Sequence, residues 1–457
     1  MKYYFWILGC AMNYSDAERI SALFDSFGFQ KTENEKEADI VCVIACSVRQ
    51  HAVDRIYGKV KGWNETKKHR QLRTVLSGCV LEGDRKKFEK IFDFIFEVKD
   101  ISKLTKYIED MSLRAERSNL KRSPQVSDSY DDKIEGYGDY LNIHPKYQSP
   151  IRAYVPISTG CDNFCTYCAV PYTRGREKSR PIEEIIAEIR DLVKKGCKEI
   201  TLLGQNVNSY GNDYSSNNRE KSDSPQPAFS NNNKFIELIK IIDQIPGKYR
   251  VYFYSNHPKD ISDELITVLP TLKHFPHYLH LPLQSGNDEI LKEMNRHYTQ
   301  EKYLGLVKKI RQALPDVLLT TDIIVGFPGE SKEQFWDTLK VVKKARFEMI
   351  FLAQFSPRPG TKAAKMVDDV SKAEKKNRET LVNETLTKIV LENNEKLIGT
   401  TQEILVDEAK KDKLYGRTKG YKVVEIKKSP TVKIGDFINV KIESATAWKL
   451  FGKIELL

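Results

Sequence analysis

Three cysteines stand at C-x3-C-x2-C spacing in Cys161-Asp162-Asn163-Phe164-Cys165-Thr166-Tyr167-Cys168. Each iron of a 4Fe–4S cube takes a thiolate. Three thiolates therefore bind three irons and leave the fourth open, as a catalytic metal position must be. A structural zinc ion needs four closed ligands, and no fourth Cys or His lies nearby in the sequence; a distant residue could still close such a site. Tyr167 is a loop aromatic that could shield a cluster from water.

A second set of three is spread along the first eighty residues. Apolar runs over 3–8, 39–45 and 74–76 read as buried strands, and Cys10, Cys46 and Cys79 each fall where one of them runs out. A fourth strand is expected over 92–98, and a helix over 16–27 from the spacing of Ile20, Leu23, Phe24 and Phe27. The alternation predicts a small parallel α/β sheet. In such a sheet the carboxyl ends of the strands form one rim, where ligands bind. The three thiols would meet there as a second three-cysteine site, or else be ordinary buried cysteines. Cys42, inside its strand, and Cys197, at a helix end, are expected to be structural.

The elements that must position the first cysteine loop begin at residue 151. Strand-like runs cover 153–157, 199–203, 251–254, 278–281, 318–325 and 349–355, with helical patterns over 182–194, 235–242, 303–313 and 332–344. Six βα units in about 210 residues predict an open, partial (βα)6 barrel, since a closed eight-stranded one takes about 250. Polar groups past the strand ends are candidates for cofactor or substrate: Gln205, Asn206, Ser255 and Ser285, with Arg358 for a carboxylate or phosphate. Residues 112–150 read as a polar linker and 213–233 as a disordered insertion. The basic piece 114–122 is either a solvated helix end or a phosphate contact.

A charged helical pattern over 374–399 leads to a small all-β barrel over 400–457, with strands expected at 402–406, 421–426, 437–442 and 450–455 and Gly416, Gly435 and Gly452 punctuating them. Here Arg417, Lys419, Lys422, Lys449 and Lys453 alternate with Tyr415, Tyr421 and Trp448. Cations neutralise phosphates while aromatics stack on unpaired bases, so Arg417, Lys419, Trp448 and Lys449 are the candidate RNA contacts. Over all 457 residues Lys and Arg exceed Asp and Glu by 74 − 63 = 11, which suits a polyanionic partner. No run approaches a membrane span, no leader pattern opens the chain, and free thiols point to a reducing cytoplasm.

The expected division is then an N-terminal α/β domain (1–111), a linker (112–150), the barrel (151–373), a connecting helix (374–399) and the β-barrel (400–457). In this order, the three parts resemble the radical S-adenosylmethionine (SAM) methylthiotransferases. The likeness rests on Gly9-Cys10-Ala11-Met12-Asn13, Ala45-Cys46-Ser47-Val48-Arg49, Ser77-Gly78-Cys79-Val80 and the 161–168 loop. It extends to Pro171-Tyr172-Thr173-Arg174-Gly175-Arg176-Glu177, Gly204-Gln205-Asn206-Val207-Asn208-Ser209-Tyr210 and His280-Leu281-Pro282-Leu283-Gln284-Ser285-Gly286. Asp322-Ile323-Ile324-Val325-Gly326-Phe327-Pro328-Gly329-Glu330 and Phe355-Ser356-Pro357-Arg358-Pro359-Gly360-Thr361 complete it. Ala11 and Val43-Ile44-Ala45 depart from the usual pattern and leave every cysteine in place.

The resemblance implies two 4Fe–4S clusters and SAM. The Cys161, Cys165 and Cys168 cluster would chelate and cleave SAM, with Tyr167 near the adenine, and the Cys10, Cys46 and Cys79 cluster would carry the sulfur. The C-terminal module resembles the TRAM type. Two of the motifs point to the MiaB type, which methylthiolates C2 of N6-isopentenyl adenosine just 3′ of the anticodon. The implied partners are the tRNA anticodon stem-loop, a reducing electron donor and a sulfur source, with the chain a monomer and no membrane involved. Sister branches act on threonylcarbamoyl adenosine or on a ribosomal-protein aspartate. A different class, a non-catalytic iron–sulfur RNA-binding or electron-transfer protein, would prefer four protein thiolates on each cluster.

Overall fold

The computed structural model describes residues 1–46, 50–118, 140–141, 143–213 and 234–455. Residues 119–139 and 142 of the expected linker (112–150), and 214–233 of the expected insertion (213–233), fall outside the described residues. The chain divides into two compact units. The first joins Met1–Gln148 with two later segments, Cys168–Arg176 and Arg358–Gly360; the second holds the rest.

The first unit is built on strands β1 (Lys2–Leu8), β2 (Gln30–Lys31), β3 (Ile40–Cys46), β4 (Arg73–Cys79) and β5 (Phe94–Ile95), all parallel, in the order β2-β1-β3-β4-β5. The central strand β3 reads Ile-Val-Cys-Val-Ile-Ala-Cys and is buried from Ile40 to Ala45, as a strand covered on both faces must be, with Cys46 partly exposed at its end. Tyr3, Ile40, Cys42 and Ile44 pack with Ile20 and Phe24 on one face. Val41, Val43 and Ala45 pack with Ile56, Trp63 and Phe88 on the other. Register brings Leu8 level with Ala45, and Cys46 level with Cys79. The strand order reverses between β1 and β3, the switch point at which open α/β sheets bind ligands. The first helix runs Ala11–Ser26, starting five residues earlier than its apolar spacing suggested, because Cys10 is its N-cap. The helix Ile101–Ser118 extends through the start of the expected linker and through the first part of the basic piece, whose remainder is not described.

In the second unit, β6 (Arg152–Pro156), β9 (Glu199–Leu203) and β10 (Arg250–Phe253) form one parallel sheet. Strands β11 (Tyr278–His280), β12 (Leu318–Val325) and β13 (Met349–Gln354) form another. Asn256 Nδ2 donates to His280 O at 2.8 Å and bridges β10 to β11, giving the expected six-stranded open barrel. A short hairpin, β7 (Ser158–Thr159) with β8 (Lys178–Ser179), brackets the cysteine loop; nothing in the apolar pattern marked it. On the open edge, Met349 and Phe351 are exposed.

The helix Lys372–Glu395 leads to a closed barrel of β14 (Thr401–Lys410), β15 (Lys413–Thr418), β16 (Val423–Lys427), β17 (Phe437–Ala445) and β18 (Leu450–Ile454). The sequence reading missed β15 and took Gly416 and Gly452 as punctuation. Both lie inside strands, opposite bulges in β14 and β17. A Cβ there would come within 2.7 Å of Leu405 O and 2.3 Å of Lys441 O, so only glycine lets the strands close. This module caps the amino-terminal ends of the barrel strands. Arg152, opening β6, pairs with Glu199 at 2.9 Å and with Asp407. Arg250, opening β10, donates to Arg417 O at 2.9 Å and Glu403 O at 3.0 Å. Tyr421 (φ +67°) enters among Tyr252, Tyr254 and Tyr278 and donates to Glu199 at 2.7 Å.

Candidate functional site

The first unit gathers Cys10, Cys46 and Cys79 at the carboxyl ends of β1, β3 and β4. Asn13 Oδ1 accepts from Cys10 N at 3.1 Å and fixes the start of the first helix; a Cβ on Gly9 would fall 1.8 Å from that oxygen. Gly78 has φ +107°, and a Cβ there would lie 2.2 Å from Ala45 O, so glycine is required for Cys79 to lie level with Cys46. Arg174, brought in by the Cys168–Arg176 segment, donates Nε–H to Cys79 Sγ at 3.0 Å. Its Nη2 pairs with the fully buried Asp16 at 2.6 Å, and Tyr140 also donates to Asp16. A contact from Cys46, helped by the Arg174 charge, pulls the Cys79 thiol down to about 6 against burial. Cys10 is exposed, yet crowding by protein atoms and the nearby Cys79 push its thiol up.

In the second unit, Cys161 and Cys165 are buried beyond β7. Their loop is held by Asn295, whose Nδ2 donates to Asn163 O and Phe164 O, both at 3.1 Å, and by Thr166 N to Met294 O at 3.1 Å. Arg296 Nη1 donates to Cys165 Sγ at 3.4 Å, and Asn163 Nδ2 to Cys161 Sγ at 3.5 Å. Burial pushes the Cys161 thiol up to about 11. Cys168 follows Cys165 by three residues and opens the segment counted with the first unit. Among the described residues no group of three Cys, His, Asp or Glu closes on a single-ion position. A cube does not ask for one, because each thiolate takes its own iron.

The expected polar ligands divide. Gln205 Oε1 accepts from Gly160 N at 2.5 Å and so holds the cysteine loop. Asn206 is buried; its Nδ2 donates to Asp260 at 2.8 Å, while its Oδ1 has no hydrogen-bond partner among the described residues. Ser255, at φ +63°, donates its backbone N–H to His280 Nδ1 at 3.4 Å. Ser285 is fully buried, and its Oγ accepts from Asn287 N at 3.3 Å in a helix-entry turn. Arg358 belongs to the first unit, buried within electrostatic reach of Asp84, Cys46 and Asp54. Tyr167 packs against Ile290, Met294, Phe327 and Phe355.

Sequence reasoning missed Arg174, Arg296 and Glu177. Their only signal was that Arg174 and Glu177 stand in one of the motifs quoted above. Burial lifts the Glu177 carboxyl to about 7, with Asp162, Asp213 and Asp260 adding to the rise against a hydrogen bond from Ser209. Within the barrel His280 approaches Asp322 at 3.4 Å, with Phe351 edge-on at 5.5 Å.

Of the candidate RNA contacts, Trp448 is half exposed. Lys449 pairs with Glu425 at 2.8 Å and lies over the rings of Tyr415 and Phe451. Arg417 is tied to Asp407 at 2.9 Å and lies over Tyr421, both in the same module, and only its carbonyl reaches the barrel, accepting from Arg250 at 2.9 Å. Lys419 lends its carbonyl to Tyr252 Oη at 3.0 Å. A cleft of about 330 Å³ runs between Tyr278, Met349 and Phe351 of the barrel and Tyr421, Trp448 and Lys449 of the module.

Comparison with known proteins agrees with this arrangement. Residues 155–342 match the radical SAM superfamily, residues 2–98 the uncharacterized protein family UPF0004, and residues 395–454 the TRAM domain. A tRNA-2-methylthio-N(6)-dimethylallyladenosine synthase of Thermoanaerobacter sp. (strain X514) is 39% identical, over 99% of this chain and 93% of its own. The same-named protein of Endomicrobium trichonymphae is 40% identical over 99% of this chain and 100% of its own. The chain belongs to the radical SAM methylthiotransferase family. Among solved structures, the radical SAM methyltransferase TsrM of Kitasatospora setae, with cobalamin and a [4Fe-4S] cluster bound, shares the fold at a TM-score of 0.53 and 12% identity, covering 79% of this chain and 73% of its own.

As a radical SAM methylthiotransferase the chain is an enzyme whose cofactors are SAM and 4Fe–4S iron–sulfur. The residues present fit such a cofactor. Buried thiols lie on a loop clamped by backbone contacts, and a guanidinium beside one sulfur offsets the negative charge a thiolate cluster brings. No helix among the described residues is long and apolar enough to cross a membrane.

Proposed function

We propose that this enzyme methylthiolates C2 of N6-isopentenyl adenosine just 3′ of the tRNA anticodon, in a cytoplasmic setting, with two SAM molecules and two 4Fe–4S clusters. Cys161, Cys165 and Cys168 would hold the cluster that works on SAM, and Cys10, Cys46 and Cys79 the one that carries sulfur. Once loaded, the barrel site supplies a carbon radical able to attack an unactivated C2–H bond, which acid–base groups at neutral pH cannot reach. The carrying observation is the second thiol set: three cysteines far apart in sequence collect at the switch point of one sheet, each at a strand end.

The protein's own residues then hold and orient. Asn295, Thr166 and Gln205 fix the cysteine loop. Asn206, with one buried oxygen left for a ligand, faces Asp260 beside the acidic group of Glu177. The target base leaves its stack to reach the barrel, at a cost of a few kcal/mol that a single-stranded loop reduces. Trp448 and the module's lysines are the proposed RNA contacts, while the Arg417 side chain is engaged within the module by Asp407.

The test is mass analysis of tRNA nucleosides from cells with and without the gene. Loss of the 2-methylthio group from isopentenyl adenosine alone is expected. An unchanged nucleoside, or loss from threonylcarbamoyl adenosine instead, would overturn the substrate. Cys46→Ala is expected to end methylthiolation and lower bound iron by about half if both clusters are cubes, while 5′-deoxyadenosine is still released from SAM.

A further inference from the structure

We infer that Arg174 is a positioning residue for the N-terminal thiol set: its guanidinium, anchored by Asp16, sets the reduction potential of the cluster held through Cys79. This rests on the two-cluster reading above. Arg174, Asp16 and Cys79 are all buried, at 5%, 0% and 4% exposure. Arg174 comes from far along the chain, at the end of the short helix Val170–Thr173, where its backbone N–H donates to Val170 O at 2.8 Å and Gly175 follows at φ +80°. That turn delivers the side chain into the first unit.

The division of its donors indicates the role. A guanidinium serving only as an ion pair would place two N–H groups on one carboxylate, the geometry this fork favours. Here Nη2 meets Asp16 Oδ2 at 2.6 Å, Nη1 reaches Oδ1 only at 3.5 Å, and Nε is turned to Cys79 Sγ at 3.0 Å. Asp16 also takes the Tyr140 hydroxyl, so the carboxylate is fixed from two sides. The pair is neutral overall, which allows its burial, but its positive end is against the sulfur. A hydrogen bond and a positive charge at a ligating sulfur favour the more negative, reduced cluster and raise its potential. Arg296 meets Cys165 in the barrel differently, with its other donors on Tyr298 Oη at 3.0 Å and Pro282 O at 3.1 Å.

The test uses the full-length chain with Cys161→Ala, Cys165→Ala and Cys168→Ala, so that only the N-terminal site binds iron, and reads iron content and midpoint potential by redox titration. Arg174→Gln is expected to shift the reduction equilibrium at least tenfold toward the oxidised form, which is 59 mV for one electron. Asp16→Asn is expected to move it the opposite way, because the guanidinium charge is no longer offset. Arg174→Lys keeps the charge without the fork and is expected to fall between parent and Gln. Should Arg174→Gln fail to retain iron, the Lys and Asn variants decide by their potentials. Coincident potentials, or Arg174→Gln and Asp16→Asn moving the same way, overturn the inference. A background chain that binds no iron overturns the two-cluster reading and the inference together.

Discussion

Each thiol set has a buried arginine against one sulfur, Arg174 on Cys79 and Arg296 on Cys165. A thiol becomes a cluster ligand as its thiolate, so a fixed positive charge beside it favours the ligating form. With Cys165 a ligand of the proposed radical site, Cys165→Ala is expected to bring 5′-deoxyadenosine release from SAM down to background; wild-type release would show that this thiol is not needed. Glu177 gives a pH signature. The folded chain keeps its proton up to about pH 7, whereas the unfolded chain releases it near 4.5. Between these values the folded state binds more protons, so rising pH weakens it, by about 3 kcal/mol in all. Denaturant titration of the SAM-free chain should show this decline, and Glu177→Gln should flatten it. A parent chain already flat from pH 5 to 8 would mean the carboxyl is ionised.

At the scale of elements, the ends of strands carry the chemistry. Strand β4 brings Cys79 level with Cys46 only because Gly78 adopts φ +107° in contact with Ala45 O. Gly78→Ala meets both a strained conformation and a backbone clash. A loss of about 2–3 kcal/mol in unfolding free energy is expected, with iron falling at the N-terminal site and not at the barrel site. Equal iron loss at both sites would point to general misfolding instead. On the barrel side, the cysteine loop depends on contacts from the short helix Asp288–Glu293 and the residues after it, at Glu293 O, Met294 O and Asn295. Apolar periodicity does not mark so short an element, so the sequence showed the loop but not its clamp.

At the scale of the molecule, the C-terminal module is part of the barrel's structure as well as the proposed surface for RNA. The sequence reading sets it apart as a β-barrel of its own over 400–457. Arg250 and Glu199 are buried against it, and Tyr421 fills the barrel's amino-terminal mouth. Deleting residues 400–457 is therefore expected to lower the thermal midpoint and reduce iron at the barrel site. Tyr421→Ala alone should cost less than the roughly 3–5 kcal/mol of a fully buried aromatic, because Tyr421 is only partly buried. An unchanged melting curve for either variant would refute the brace. Trp448→Ala should instead leave the melt alone and weaken tRNA binding by about 1–3 kcal/mol, with binding in the parent weakening as salt rises.

The sequence by itself determined the parts. Cysteine spacing and strand periodicity are local properties, so both thiol sets, the six barrel strands and all but one strand of the small β-barrel were legible without coordinates. Tertiary structure decided which side chains those parts bring together. Arg174 and Arg358 lie in the barrel's stretch of sequence, yet they pack into the N-terminal unit, because a chain's neighbours in space are set by burial and charge pairing across long separations. Ser285 and Arg417 have the residue types expected of ligands, but their partners turn out to be a helix-entry turn and Asp407. The buried asparagine, the raised carboxyl of Glu177 and the arginines on sulfur all arise from desolvation, which no local pattern records.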